Sequence, residues 1–330
     1  MKQIDFLAIG DIVVDAFIKL QDAHIHCNLD KEGCELCMRF GSKVPYESVT
    51  VIPAAGNSSN AAICAARLGL RSALVTNIGN DKYGTDCISS LKKERVLTKY
   101  ITAEKNKITN YHYVLWYDID RTILVKHTEF AYKFPKVKNI AWAYLSSLAE
   151  NSLEYHLEIL KFLKEHPETK LAFQPGTYQI KFGKNILKEI YERTEVFFSN
   201  LEEAQKILES ESRDPLELSC GIKALGPKIV VISDGINGAY LYHENELWHN
   251  PIFPDTNPAI ESTGAGDAFS STIVCALSLG KTPLEAFAWG PVNAMSVVQK
   301  IGPQAGLLSR EKIEEHLKNA PENYKATKIS

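Results

Sequence analysis

Short apolar runs, each followed by a segment of helical length, recur along this chain and constrain its fold more than any other feature. Ile4-Asp5-Phe6-Leu7-Ala8-Ile9-Gly10 opens the series, and similar runs stand at Ala73 to Ile78, Ile140 to Leu145, Lys170 to Phe173, Val196 to Ser199 and Ile229 to Ser233. Runs this short that are apolar on both faces suit the buried strands of a parallel sheet. Between them lie Ser59 to Leu68 (stopped by Gly69), Tyr83 to Arg95, Ser152 to His166 and Leu201 to Glu209, all of helical length. Alternation of this kind predicts right-handed βαβ crossovers and a three-layer α/β/α sandwich around a mostly parallel sheet. The C-terminal quarter reads as helix over Ala265 to Leu279, Pro283 to Lys300 and Ser309 to Leu317, with a polar tail from about Lys318 that frays.

Two strand-rich stretches, about 16–50 and 109–134, break the alternation. In the second, Tyr111 to Tyr117 and Thr122 to Val125 flank the turn-prone Asp118-Ile119-Asp120 and predict a β-hairpin. The two insertions have no place in a parallel core. They are expected to form a small sheet, a lid over the ends of the main strands, within a single domain spanning 1–330.

With 37 Lys and Arg against 40 Asp and Glu, the formal net charge is −3. Nothing global therefore attracts nucleic acid or an anionic membrane, and any phosphate must be bound locally. Asp5, Asp11 and Asp15 interrupt any secretory apolar core at the start, and no apolar run reaches the ~18 residues of a membrane span. The expectation is a cytoplasmic protein whose seven cysteines (27, 34, 37, 64, 87, 220 and 275) are reduced thiols.

Two segments carry chemistry. In Glu261-Ser262-Thr263-Gly264-Ala265-Gly266-Asp267-Ala268-Phe269 the glycines permit a tight loop, and Phe269, Ile273 and Leu277 follow at helical spacing. Free backbone N–H groups at a helix N-terminus make an anion site, beside which Asp267 is placed to take a proton from a hydroxyl. An Asp capping an ordinary helix is the plainer alternative. In Ala54-Ala55-Gly56-Asn57-Ser58-Ser59-Asn60-Ala61 the small residues allow close backbone approach, and Asn57 and Asn60 offer donors and acceptors to sugar hydroxyls. Here too Ser59 or Asn60 as a helix cap competes. Gly280-Lys281-Thr282 imitates a P-loop ending but follows a helix, and Phe269 stands where a dinucleotide fingerprint needs its third glycine.

Taken together, Gly56 to Ala61 and Ser262 to Phe269, in this order and about 200 residues apart, resemble the two signatures of the ribokinase-like (PfkB) carbohydrate kinase family. The resemblance implies a ribokinase-like fold and an ATP-dependent kinase acting on a hydroxymethyl group of a small sugar, with a nucleoside as the alternative acceptor. It implies Asp267 as catalytic base and Gly264, Ala265 and Gly266 as the backbone anion hole. Asp15, Gly56, Asn57 and Asn60 match the substrate pocket. Ser233, Gly235 and Gly238 match the loop along ATP, and Asn293 falls in the helix beside the adenine. Asn200 and Glu203 match an Asn-x-x-Glu motif that helps organise Mg2+ and phosphate. Plainer readings stand beside these: Asp15 as a solvated strand end, Asn200 as a helix N-cap, Gly235 and Gly238 as hairpin glycines.

The family's usual Asp-Thr before the glycine loop is Glu261-Ser262 here, beside a place where the resemblance also implies a monovalent cation such as K+. Ala55 replaces the first glycine of a common pair, and Gln174-Pro175-Gly176-Thr177 stands where many members carry a charged or Asn-rich substrate loop. The aromatic Tyr111 to Tyr117 run would suit a stacked base and so a nucleoside acceptor. A small-molecule enzyme, either monomeric or paired with a second copy through the lid, is the resulting expectation. Its rival from another class is a catalytically silent binding protein of the same fold. His24, His26, Cys27, Cys34 and Cys37 include one Cys-x-x-Cys, for which ordinary lid residues are weighed against a zinc site.

Overall fold

The structure, a computed structural model, describes residues 3–27, 34–117, 120–254 and 257–330. Its main sheet runs in the spatial order Ile101–Glu104, Ser72–Gly79, Ile4–Ile9, Ile140–Leu145, Lys170–Phe173, Thr194–Asn200, Ile229–Ser233, Ala239–His243, Glu246–Asn250, Thr327–Lys328. Pairing is parallel from Ile101–Glu104 through Ile229–Ser233 and antiparallel beyond it. Each apolar run feeds both faces. Phe6 and Ala8 pack with Ile63, Ile273 and Phe287 from one helical layer, while Leu7 and Ile9 pack with Ile159, Leu163 and Ile222 from the other. Fully burying side chains of this size contributes about 1.5–3 kcal/mol each, so the two apolar layers hold the sandwich.

From Ile4–Ile9 the chain first proceeds outward to Ser72–Gly79 and later returns to Ile140–Leu145 on the opposite side. Crossovers diverge at such a switch point, and a crevice opens beyond the carboxyl ends of the strands.

The small sheet is present and wider than its sequence suggests. Tyr46–Ala55, Val13–Leu20, Tyr111–Tyr117 and Asp120–Leu124 lie side by side in that order. The hairpin pairs Tyr113 with Leu124, and the 118–119 part of its turn lies outside the described residues. A short ribbon, His24–His26 against Glu35–Cys37, adjoins a Cys27–Cys34 disulfide. Two of the seven cysteines are therefore not free thiols. The bond also removes two soft ligands from the zinc alternative, and no group of three or more metal-ligating side chains occurs among the described residues. No helix among them is long and apolar enough to cross a membrane.

The C-terminal tail does not fray. Thr327–Lys328 joins the main sheet, and the buried Tyr324 donates its hydroxyl to the Ala288 carbonyl at 2.6 Å and accepts from Asn250 Nδ2 at 3.2 Å. One aromatic anchor and a few edge hydrogen bonds leave no periodic signature, which is why polarity alone misleads here. Tyr324→Ala should cost about 3–5 kcal/mol in urea unfolding, as expected for a buried aromatic; an unchanged midpoint would mean the tail is loosely held.

Candidate active site

Beyond the carboxyl ends of the parallel strands lies a cavity of about 630 Å³. Asp11, Ser147, Gln174, Asn200 and Ser233, each at or just past the end of a different strand, line one side. Val13, Asp15, His112 and Ile123 of the small sheet close it from above.

Asp267 stands at the heart of this cavity. The Ala265–Ser278 helix begins at Gly264, whose φ of 81° is left-handed, and no side chain caps it. The Ala265 N–H turns back to the Ser262 carbonyl at 3.3 Å, and the positive end of the helix dipole stands behind the rest of the first turn. A Cβ at 264 would lie 2.2 Å from that of Pro303, so packing alone demands glycine there; a Cβ at 266 meets nothing within 4 Å. Asp267 sits three residues inside the helix and does not cap it. Its carboxylate accepts Asn57 Nδ2 and Asn60 Nδ2, each at 2.8 Å, and also a hydrogen bond from Gln174. Burial raises its pKa above the ordinary carboxylate value, and these hydrogen bonds hold the rise back. The two signature segments thus meet at one carboxylate.

Glu261 clasps the same loop, accepting Thr263 N–H at 2.7 Å and Gly302 N–H at 2.8 Å. Both carboxylate oxygens are engaged by backbone, so the longer arm works as a clasp. Arg121 reaches down from the small sheet to the Ser262 hydroxyl.

The wall beneath the small sheet holds two carboxyls. Burial, reinforced by the charges of Asp267 and Glu261, pushes Asp15 up to about 7. Burial also pushes Asp11 up to about 7, against a 2.7 Å hydrogen bond from the Tyr132 hydroxyl. Asp15 is thus a buried group and not a solvated strand end. Asp11, His112, Arg121 and His127 line this cavity without a sequence signal; only their convergence in three dimensions marks them. Gly56, with φ of 100°, starts the Asn57–Arg67 helix at the cavity wall.

Asn200 and Glu203 also line the cavity, yet they form a reciprocal capping box: Asn200 Oδ1 accepts Glu203 N–H at 2.8 Å and Glu203 Oε2 accepts Asn200 N–H at 2.9 Å. The helix-cap reading of Asn200 is correct, and the box fixes both side chains at the cavity edge. Such a pair suits a magnesium ion held chiefly by substrate phosphates better than one held by a protein cage.

A second cleft of about 470 Å³, mostly apolar, meets the first at Ser233, Ser262, Gly266 and Phe269. Gly235 and Gly238 line it with Ile236, Phe253, Pro291 and Met295. Asn293 does not. It is wholly buried, donating to Thr272 Oγ1 at 2.7 Å and accepting Leu308 N–H at 2.9 Å. The helix presents Pro291, Ala294, Met295 and Val298 to the cleft; because it is apolar on every side, periodicity could not choose the face.

An apolar cleft for a flat ring and a polar cavity for hydroxyls, joined at an uncapped helix start with a buried carboxylate, describe a small-molecule phosphotransferase. The chain belongs to the PfkB family: the pfkB family carbohydrate kinase profile matches residues 17–310. It is 26% identical over 285 residues to the ribokinase of Bacillus subtilis, covering 84% of this chain and 92% of that one. Its fold matches Arabidopsis thaliana ribokinase complexed with ribose and ATP, with a TM-score of 0.78 and 18% identity over 96% of this chain and 99% of the other. It also matches the Methanocaldococcus jannaschii nucleoside kinase, with a TM-score of 0.74 and 19% identity over 95% and 98%. The chain is a kinase with an alcohol group as phosphoryl acceptor.

Two predictions follow from this geometry. Gly266→Ala should fold with undiminished melting temperature, since the protein leaves its Cβ free space, while turnover falls about tenfold or more because the methyl enters the anion site. Loss of stability instead would make Gly266 a packing residue. A carboxyl raised from 3.8 to about 7 costs nothing below its ordinary pKa, destabilises increasingly from there up to about pH 7, and costs a constant amount above it. The lowered His112 and His127 act in the opposite sense, so the informative quantity is a difference. Asp11→Asn should gain stability over wild type between pH 5 and pH 8 in thermal unfolding, and a pH-independent difference would contradict the raised pKa.

Proposed function

We propose that the protein transfers the γ-phosphoryl group of ATP to a hydroxymethyl group of a small carbohydrate, with Asp267 as general base. The observation that carries this is the Asp267 carboxylate, oriented by Asn57 and Asn60 at an uncapped helix start where the two cavities meet. The acceptor hydroxyl gives its proton to Asp267 as its oxygen forms the new P–O bond, and the bond from the γ-phosphorus to the ADP oxygen breaks. The amides of Gly264 and Gly266, which line the cavity, face the equatorial oxygens, that of Ala265 joins them on release from the Ser262 carbonyl, and Arg121 adds positive charge from the lid. Magnesium, when bound to the phosphates near Asn200 and Glu203, supplies charge neutralisation. Ser233, Gly235 and Gly238 lie along the nucleotide, and Asp15, Gly56, Asn57 and Asn60 along the acceptor.

Tyr111 and Tyr113 pack against each other at 5.2 Å, and Tyr111 against Tyr83 at 4.8 Å, while only His112 of that strand lines the cavity. This favours a sugar over a stacked base. On the outer face of the small sheet the exposed Val51, Tyr113 and Leu124 lie in register across Ala16, which supports pairing with a second copy through the lid.

Asp267→Asn should lower turnover by about 10²-fold or more with ATP affinity largely retained, measured by coupled assay over a panel of sugars. Near-normal turnover in the folded variant would remove Asp267 as the base.

A further inference from the structure

An amide side chain has two faces, an NH₂ that donates and an oxygen that accepts, and a half-turn exchanges them. Against a carboxylate the choice is decisive. N–H groups turned inward favour the anion, whereas an amide oxygen turned inward favours the protonated acid. Three amides surround Asp267: Asn57, Asn60 and Gln174. The turn of two of them is fixed from outside the cavity.

Gln304 sets Asn60. The Ala54 carbonyl can only accept, so the buried Gln304 must face it with its NH₂, which it does at 2.6 Å. The same Nε2 donates to Asn60 Oδ1 at 2.9 Å and leaves Asn60 its own NH₂ to offer Asp267, at 2.8 Å. Gln304 is held in turn by its backbone. Arg67, paired with Glu94 through hydrogen bonds of 2.7 and 2.9 Å, donates to the Gln304 carbonyl at 2.7 Å and to that of Leu307 at 3.0 Å. Tyr144 sets Gln174 in the same way. Its fully buried hydroxyl donates to Gln174 Oε1, and burial pushes its pKa well above the ordinary value, so it stays a neutral donor. Gln174 then turns its NH₂ to Asp267. Phe6 stacks on the Tyr144 ring at 5.4 Å and holds that hydroxyl in place.

We propose that Gln304 and Tyr144 are positioning residues for phosphoryl transfer, each keying one amide so that its NH₂ faces Asp267 and keeps that carboxylate able to take the acceptor's proton. The inference rests on the phosphotransfer reading above and extends its machinery beyond the groups that meet substrate. Neither residue lines either cavity, so neither contributes by touching sugar or ATP. One key comes from the segment between the Pro283–Val298 and Arg310–Lys318 helices and the other from the core strand Ile140–Leu145, yet both present a donor to an amide oxygen. Other titratable groups also face Asp267. Burial raises its pKa and Arg121 opposes the rise, while Asp15, Glu203 and Tyr144, raised first by burial, are raised further by the charge of Asp267. Gln304→Met and Tyr144→Phe alter no charge among these groups, so a changed Asp267 titration reports the amides.

Infrared difference titration of the full chain, with the Asp267 carboxyl band identified by its loss in Asp267→Asn, tests this without turnover. In Gln304→Met and in Tyr144→Phe, Asp267 should titrate about 0.5 to 1 pH unit higher than in wild type, the size expected for weakening one hydrogen bond. In Asn60→Leu, which has no amide to key, adding Gln304→Met should raise it no further, and the same holds for Tyr144→Phe in Gln174→Leu. The acid limb of the kcat profile should move up by the same amount, with kcat recovering on the alkaline side and KM for ATP unchanged; a merely structural role would lower kcat at every pH. Tyr144→Phe keeps the ring and its packing, and serves where Gln304→Met fails to fold. An Asp267 titration that stays in place in either folded variant overturns the inference, as does a Gln304→Met shift that persists in Asn60→Leu. Shifted titrations in a protein that phosphorylates neither sugars nor nucleosides would instead sink the phosphotransfer reading and leave the two keys standing.

Discussion

Everything in the site depends on a buried carboxylate shared between two distant parts of the chain. Burying Asp267 is unfavourable unless donors replace its water, and Asn57 and Asn60, 210 and 207 residues away, are those donors. The amides must point correctly. Gln304 donates to Asn60 Oδ1 at 2.9 Å and to the Ala54 carbonyl at 2.6 Å, so Asn60 turns its NH₂ toward Asp267. Ala54 has a left-handed φ of 60°, a strained conformation for a residue with a side chain, and lies directly under this arrangement. Strain and buried charge have accumulated where the chemistry is placed.

The sheet supplies the frame for that carboxylate. A switch point at Ile4–Ile9 brings the ends of several strands to one crevice, so residues from Asp11 to Ser233 reach a common cavity without any one segment having to encode it. The small sheet adds Asp15 and His112 in register from above. Raised carboxyls at 11 and 15 cost stability at neutral pH, a sacrifice expected where groups are arranged for chemistry and not for the fold.

Much of this was legible from residues alone. The apolar runs located the parallel strands, because burial on both faces leaves an unbroken apolar pattern. The glycine-rich segments located Asp267 and its partners, because a tight loop must be written in residues that permit it. The wall beneath the small sheet was not legible beyond Asp15. His112 and His127 lie about 100 residues from Asp11, and only the pairing of Val13–Leu20 with Tyr111–Tyr117 brings them near. Asn293 was misplaced because its helix is apolar all round, and the Cys27–Cys34 bond because spacing does not report pairing. Asn200 and Glu203 show the reverse case, where one motif serves helix capping while it faces the site.

The central claim is that Asn57 and Asn60 hold Asp267 in its ionised, proton-accepting form. The most direct measurement is the pH dependence of kcat in Asn57→Leu against wild type, a change that keeps the branched skeleton and removes one hydrogen bond to the carboxylate. Losing a hydrogen bond to the charged form raises the pKa further, so the acid limb of the profile should move to higher pH. An acid limb that stays in place while kcat falls would mean that the titrating group is not Asp267, and the account of the site would fail.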